Sequence, residues 1–313
     1  MSLQSLPVEV IHLVLQFVGS DALRKQEACC LLVSKWWYNL AEPVLLKDLV
    51  LNANLLDKMP EDAFERLSLH AQRLTVQVTQ ASDFLGDEIF NDAICQLLSR
   101  CAYLKAFSFR AQSDFDPEHP MMPATNYLAS WSPMRLFDIL DLSGISDLVI
   151  DTCGSMFKSR VHICPRVLKI ASLRSLRLRM HHICPRVLEL ESDSRIESII
   201  INMSLMEPGC FHAGFSRHCT EPKSAYDLYQ EMVTTATNVA TSHFGIKMLR
   251  ILSHKHPYSE IVTTDCIKGM TMILADITKD WEEDGLPDIE HAELSDRDLF
   301  AEDSEDDPFA TLG

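Results

Sequence analysis

The chain has 313 residues, 47% of them hydrophobic, a length that suggests two modules or one large module with an appendage. No apolar run approaches the roughly 20 residues needed to cross a bilayer, and no basic stretch precedes an apolar one at the N-terminus, so we expect no membrane span and no secretion signal. Residues 280–307 hold 14 acidic residues and one basic residue, whereas the preceding 279 hold 27 basic and 31 acidic residues. This nearly neutral body argues against general nucleic-acid binding.

Ten cysteines in a chain without a secretion signal indicate reduced thiols. We therefore expect the protein in the cytoplasm or the nucleus.

The first 45 residues are predicted to form three helices. The first carries Pro7 in its first turn and ends at Gly19. The second runs from there to about Leu32. The third is capped by Ser34 and stops before Pro43.

The first helix is apolar around most of its circumference. Its polar residues form one narrow stripe, and the apolar residues that fill the remainder are Val10, Ile11, Leu13, Val14, Leu15, Phe17 and Val18. A surface helix needs apolar residues on one face only, and a unit of about 40 residues buries little of its own surface. Either a partner covers the remaining apolar surface or the rest of this chain does.

From Leu46 onward, short strand-like runs alternate with helical stretches. Six runs share the spacing apolar-x-x-apolar-x-apolar: Leu46/Leu49/Leu51, Leu104/Phe107/Phe109, Ile145/Leu148/Ile150, Leu173/Leu176/Leu178, Ile196/Ile199/Ile201 and Ile246/Leu249/Ile251. Helices are predicted at 88–100 and 226–240, and a closing helix at 265–281.

The string HICPRVL occurs at His162–Leu168 and again at His182–Leu188, twenty residues apart. A seven-residue identity indicates a duplicated unit, and each copy precedes one of the strand-like runs. The runs that begin at Leu173 and Ile196 are 23 residues apart, within the period of leucine-rich repeats. We therefore expect a curved strand array with a core of Leu173, Leu176, Leu178, Ile196, Ile199 and Ile201.

Two motifs frame the N-terminal helices. The sequence Leu6-Pro7-Val8-Glu9 opens them, and Val33-Ser34-Lys35-Trp36-Trp37 closes them. This pair resembles the F-box, a trihelical module that opens with Leu-Pro-x-Glu and closes with Val-Ser-Lys-x-Trp. The segment that follows, Pro43-Val44-Leu45-Leu46, also looks like F-box proteins of filamentous fungi. The middle of the segment, 21–30, is more polar than most members of the family.

The resemblance implies binding rather than catalysis. An F-box docks on a small adaptor protein that joins it to a cullin–RING ubiquitin ligase, while the C-terminal region holds a protein substrate. It implies adaptor contacts by five residues: Leu6, Pro7, Val10, Val33 and Trp37.

We therefore predict an α+β chain. Its parts are an F-box at 1–45, an irregular leucine-rich-repeat-like solenoid at 46–281 and a disordered acidic tail at 282–313. The expected function is substrate recognition in an SCF-type ubiquitin ligase. The alternatives are an interaction scaffold without a role in ubiquitination, and an enzyme hidden in the C-terminal region.

Other chemical motifs are weak. Cys210, His212, His218 and Cys219 are zinc-ligand types, but they are not spaced as ligand pairs separated by two to four residues. His162/Cys164 and His182/Cys184 recur through the duplication, which favours buried turn cysteines. Since no nucleophile elbow, phosphate loop or dinucleotide motif is present, we expect no catalytic residue, cofactor or metal.

The acidic tail offers one regulatory hypothesis. It could occupy a basic groove near Arg174, Arg177 and Arg179 and compete with acidic or phosphorylated substrates.

Overall fold

A computed structural model of the chain describes residues 6–25, 34–56, 58–78, 87–111, 128, 132–157, 162–206, 213–255, 260–274, 281–282 and 286–287. Within these ranges the helices are α1 (Val8–Lys25), α2 (Lys35–Leu45), α3 (Ala53–Leu56), α4 (Glu61–His70), α5 (Asp87–Arg100), α6 (Met134–Ser143), α7 (Cys164–Val167) and α8 (Ala225–Ser242), and a 3₁₀ turn spans Pro185–Leu188. The strands are β1 (Asp48–Asn52), β2 (Arg73–Val78), β3 (Ala106–Ala111), β4 (Asp147–Asp151), β5 (Ser175–Arg179), β6 (Ser198–Asn202), β7 (Ser204–Met206), β8 (Ala213–Phe215), β9 (Met248–His254), β10 (Ile261–Asp265), β11 (Met270–Leu274) and β12 (Leu286–Pro287).

One ten-stranded sheet runs through the described chain in the order β1-β2-β3-β4-β5-β6-β9-β10-β11-β12. The first seven strands in this order pair in parallel, and the last three are antiparallel additions. The short strands β7 and β8 form a separate hairpin between β6 and α8. Each parallel strand lies beside the parallel strand that precedes it in the chain. Every connection between them therefore runs back from the carboxyl end of one strand to the amino end of the next.

The main core lies between the helices and one face of this sheet. Alternate strand residues point to the same face, and those that meet the helices are apolar, for example Leu176 and Leu178 of β5 and Ile199 of β6. Burial is nearly complete at all six positions expected in the core: Leu173, Leu176, Leu178, Ile196, Ile199 and Ile201. The alternating pattern therefore located both the strands and their buried side.

The predicted fold class, α+β with an N-terminal trihelical F-box and a leucine-rich-repeat-like solenoid, is wrong. The strands join in a single, mostly parallel sheet with helices between them, which is an α/β arrangement. The connecting helices range from 4 residues in α7 to 18 in α8, so no uniform repeating unit is present in the described chain. The duplicated heptapeptide marks only two neighbouring connections.

The helix break predicted at Gly19 is confirmed. The backbone of Gly19 is non-helical, with φ of 80° and ψ of 160°, and it divides α1 into two helical stretches, of which the second is described as far as Lys25. Residues 26–33 lie outside the described residues. Pro43 does not stop the last helix but lies inside α2, which ends two residues later at Leu45.

The predicted closing helix at 265–281 is wrong as well. Asp265 ends strand β10, and the turn through Gly269 leads into β11, which pairs antiparallel with β10. Gly269 has φ of 66°, a conformation that glycine adopts without strain. The turn separates β10 and β11, which are rich in threonine and branched residues. Such residues favour a sheet over a helix.

The predicted disorder of 282–313 fails at Leu286–Pro287, which pair with β11. Residues 283–285 and 288–313 lie outside the described residues. Among the described helices, none combines the length and apolar character that a membrane span requires.

The buried strand positions should dominate folding stability. We predict that Leu176→Ala lowers the free energy of unfolding by about 2–5 kcal/mol, because it leaves a cavity in the packed face. Leu142→Ala is the matched control, since Leu142 is 87% exposed and its loss should change stability by less than about 0.5 kcal/mol. Urea unfolding measures the free energy of unfolding of both variants, and equal changes from the wild type would contradict the assigned core.

Candidate functional sites

The N-terminal helices begin at well-defined caps. The carbonyl oxygen of Pro7 accepts hydrogen bonds from the amides of Val10 and Ile11, so α1 starts directly after this proline. The Oγ of Ser34 accepts a hydrogen bond from the amide of Trp37 at 3.3 Å and caps α2. Leu6-Pro7 and Ser34-Lys35 thus lie at the starts of the two helices, and the prediction of Ser34 as a cap is confirmed.

One side of α1 packs against α2. Ile11 and Leu15, one turn apart, are buried with Leu23 of α1 and with Ala41 and Val44 of α2. Partly buried residues on α2, including Trp37, pack against the same cluster. This small core holds the two helices together.

The other side of α1 is a continuous apolar surface, which we call the α1 face. It consists of Leu6, Val10, Leu13, Val14, Phe17 and Val18, all exposed. Phe17 is 92% exposed and Leu13 is 65% exposed. Within the described part of the chain, no segment covers these side chains, which favours the first of the two explanations, an interaction surface.

The five residues predicted to bind the adaptor fall into three groups. Leu6, Pro7 and Val10 are exposed together at the start of α1. Trp37 is half-buried and packs against the small core between α1 and α2. It also stacks edge-to-face on Trp36, with ring centroids 5.2 Å apart, so it supports the packing of the two helices beneath the exposed residues. Val33 lies outside the described residues.

Polar contacts fix the N-terminal helices to the first edge of the sheet. The hydroxyl of Ser20 donates to Asp48 of β1 at 3.1 Å. Glu42 of α2 accepts from Tyr38 at 3.3 Å and forms an ion pair with Arg66 of α4 at 3.5 Å. Since α2 also runs through a short turn into β1, the α1 face keeps a set position relative to the sheet.

A second candidate site lies in the connections that follow three neighbouring strands. His162 and Cys164 come after β4, Cys184 comes after β5, and Cys219 comes after the β7–β8 hairpin that follows β6. The carboxyl ends of parallel strands meet at one edge of a sheet, so these connections lie side by side. We call the four residues the Cys–His cluster.

The ligand-type atoms of the Cys–His cluster are closely grouped. The Nε2 of His162 lies 3.1 Å from the Sγ of Cys184, and the Sγ atoms of Cys164 and Cys219 are 3.6 Å apart. All four atoms lie within 4.8 Å of one another, and Cys164 and Cys184 are buried. The sulfur separation is far too long for a disulfide, whose bond is about 2.05 Å.

The thiols of the cluster influence one another. Hydrogen bonds from Cys164 and Cys219 lower the pKa of Cys184. The hydrogen bond to Cys184 raises the pKa of Cys164. The shared hydrogen bonds therefore stabilise the thiolate form of Cys184 relative to that of Cys164.

This grouping differs from the set of zinc-ligand types that lie close together in the sequence, Cys210, His212, His218 and Cys219. Cys210 and His212 lie outside the described residues. The ring of His218 accepts hydrogen bonds through Nδ1 from the amides of Thr220 and Glu221 and is not in the cluster. The available signal was the HICPRVL duplication, which supplies three of the four cluster residues.

The start of the acidic tail contacts the basic residues that were expected to receive it. Glu282 forms an ion pair with Arg177, and its carbonyl oxygen accepts from Arg250 at 2.7 Å. The ring of Trp281 lies 5.2 Å from the guanidinium of Arg179. Arg174 instead pairs with Glu197, and competition between tail and substrate stays a prediction.

The chain was compared with protein-family profiles, curated protein sequences and solved structures, and nothing in any of the three sets matches it.

Two leucines of α1 provide a direct test of the α1 face. We predict that Leu13→Ala changes the free energy of unfolding by less than about 0.5 kcal/mol, because the side chain is 65% exposed. Leu15→Ala, two residues along the same helix and 7% exposed, should cost about 2–4 kcal/mol. Thermal or urea unfolding compares them, and a large effect of Leu13→Ala would mean that this face packs inside the folded chain.

Proposed function

We propose that this protein is a substrate-recognition subunit of an SCF-type cullin–RING ubiquitin ligase, acting in the cytoplasm or the nucleus. The α1 face docks on the adaptor protein, and the adaptor joins the chain to a cullin. The sheet domain holds the protein substrate. The chain itself carries no transferase chemistry and requires no catalytic residue.

The observation that carries this proposal is the exposed α1 face beside the F-box-like motifs. Monomeric proteins rarely leave so many large apolar side chains exposed on one helix, and such surfaces mark protein interaction sites. Leu6 of the α1 face lies in the opening motif and Val10 follows the motif directly, so the exposed surface and the motif adjoin. Phe17, at 92% exposed, adds a large aromatic side chain of the kind that often contributes most to binding.

A polar row across the sheet supports the substrate-binding part of the proposal. Asn52, Gln77, Arg110, Asp151 and Arg179 are aligned partners on β1, β2, β3, β4 and β5. Their strand positions alternate with the buried apolar positions, so the row lies on the sheet face away from the helices. Within it, Arg179 and Asp151 form a bidentate ion pair with both contacts at 2.7 Å. The exposed part of this row offers hydrogen-bond donors and acceptors to a polypeptide.

The rival proposal is an interaction scaffold that binds the adaptor without directing ubiquitination. Both proposals use the α1 face, so adaptor binding alone does not separate them. They differ in whether the cullin and ubiquitinated proteins are recovered with the chain.

Adaptor binding is tested with the double variant Leu6→Ala/Pro7→Ala. We predict that it weakens adaptor binding by about 2–4 kcal/mol, a roughly 30- to 1000-fold rise in Kd, because both side chains are exposed at the docking surface. Titration of the purified chain with the purified adaptor measures the change. Leu142→Ala, an exposed leucine on α6, is the control and should leave Kd unchanged. Wild-type affinity in the double variant would overturn the docking surface.

Substrate binding is tested by purifying the tagged chain from cells under proteasome inhibition. The wild type should recover the adaptor, the cullin and ubiquitinated proteins. We predict that Arg110→Ala, an exposed position in the polar row, keeps the adaptor and cullin but loses at least about half of the ubiquitinated proteins, because it removes a charged donor from the substrate face. Recovery of the adaptor without cullin or ubiquitinated proteins in the wild type would favour the scaffold.

A further inference from the structure

The Cys–His cluster has the chemical composition of a zinc site. Three sulfur atoms and one imidazole nitrogen form one of the common ligand sets for structural Zn²⁺. Iron–sulfur clusters commonly use four cysteines, and magnesium and calcium prefer oxygen ligands. Soft sulfur ligands with one imidazole therefore select zinc among the abundant cellular metals.

The distances in the cluster agree with this composition. Tetrahedral zinc with Zn–S bonds of about 2.3 Å and a Zn–N bond of about 2.0–2.1 Å holds two sulfurs about 3.8 Å apart, and a sulfur and a nitrogen about 3.6 Å apart. The observed Sγ–Sγ distance of Cys164 and Cys219 is 3.6 Å, and the Nε2–Sγ distance of His162 and Cys184 is 3.1 Å. With every ligand atom within 4.8 Å of the others, small side-chain shifts suffice to surround one ion.

The surroundings of the cluster favour a closed site. Cys164 and Cys184 are buried, and His162 and Cys219 are partly buried. Cys164 begins α7, and Cys184 precedes the 3₁₀ turn, so the backbone places both sulfurs at the starts of short helical segments.

We propose that His162, Cys164, Cys184 and Cys219 bind one Zn²⁺ ion as a four-coordinate structural site. Binding displaces the protons that the cysteine sulfurs still carry, and an imidazole nitrogen of His162 supplies the fourth ligand. The ion joins the connections after β4 and β5 to the loop that precedes α8. It therefore fixes the start of α8 against the duplicated segments, and no coordination position remains for a substrate.

The duplication provides a matched pair of variants. His162 and His182 occupy the same position in the two HICPRVL copies, but only His162 belongs to the cluster. His182 instead contacts His181, with Nδ1 atoms 3.3 Å apart. Exchange of either histidine for glutamine removes the same chemical group from the same local sequence. A difference in zinc content between the two variants would therefore arise from the membership of His162 in the cluster.

The test measures zinc in the purified full-length chain by elemental mass spectrometry. We expect about one zinc ion per chain in the wild type and in His182→Gln, and zinc near background after dialysis in His162→Gln and Cys219→Ser. Cys266→Ser, a buried thiol outside the cluster, should keep the wild-type content. Circular dichroism confirms which variants remain folded.

The wild-type chain alone gives a second readout that does not depend on variant folding. Chain prepared with Co²⁺ in place of zinc should show the visible absorption of tetrahedral cobalt and sulfur-to-cobalt charge transfer. A wild-type chain that binds neither zinc nor cobalt would overturn the proposal, as would a disulfide between Cys164 and Cys219 in the freshly purified protein. Equal zinc content in His162→Gln, Cys219→Ser and the wild type would also overturn it, because the zinc would then be bound elsewhere.

Discussion

Parallel pairing of successive strands controls most of this structure. A parallel strand can join its neighbour only through a connection that returns along the sheet, and in this protein each of the first seven strands in the sheet lies beside the one before it. The helices in these connections bury the apolar residues of one sheet face. The same constraint brings the carboxyl ends of the strands to one edge and sets residues of five strands in one row on the opposite face.

The buried face of the sheet and the exposed α1 face have different roles. Strand residues such as Leu176 and Ile199 are fully buried and stabilise the sheet against the helices. The α1 face remains exposed, although full burial of a side chain of this size contributes about 1.5–3 kcal/mol. Several such side chains are exposed to water in the folded chain, so their burial by a partner would contribute this free energy to binding. Because Ser20 contacts β1 and Glu42 contacts α4, a protein bound at the α1 face has a set direction toward the polar row.

The strands were predictable from sequence where the local pattern was strong. All six runs with the apolar-x-x-apolar-x-apolar spacing contain or lead into an observed strand, and helices α5 and α8 begin and end within two residues of prediction. Strand β2 was missed because Ala71 occupies the first position of its run, where the pattern required a larger residue, although Ala71 is completely buried. The segment 265–281 was misassigned because its apolar residues also fit a helical spacing, and only pairing between β10 and β11 distinguishes the two. The local pattern also could not predict the order of the strands in the sheet, because the sequence of one strand does not specify which strands pair with it.

The sequence by itself determined the positions of the six strands that carry the full apolar spacing, the buried side of those strands, the helix cap at Ser34 and the excess of apolar residues on α1. These features depend on residues close together in the chain, so spacing reveals them. The tertiary structure alone decided that α1 leaves Leu13 and Phe17 exposed while it buries Leu15. It also decided that Cys219 joins Cys164, 55 residues earlier, while His182, identical in local sequence to His162, stays outside the cluster. The physical reason is that parallel pairing sets distant connections side by side, and the contacts between them depend on the position of each connection in the sheet rather than on its own sequence.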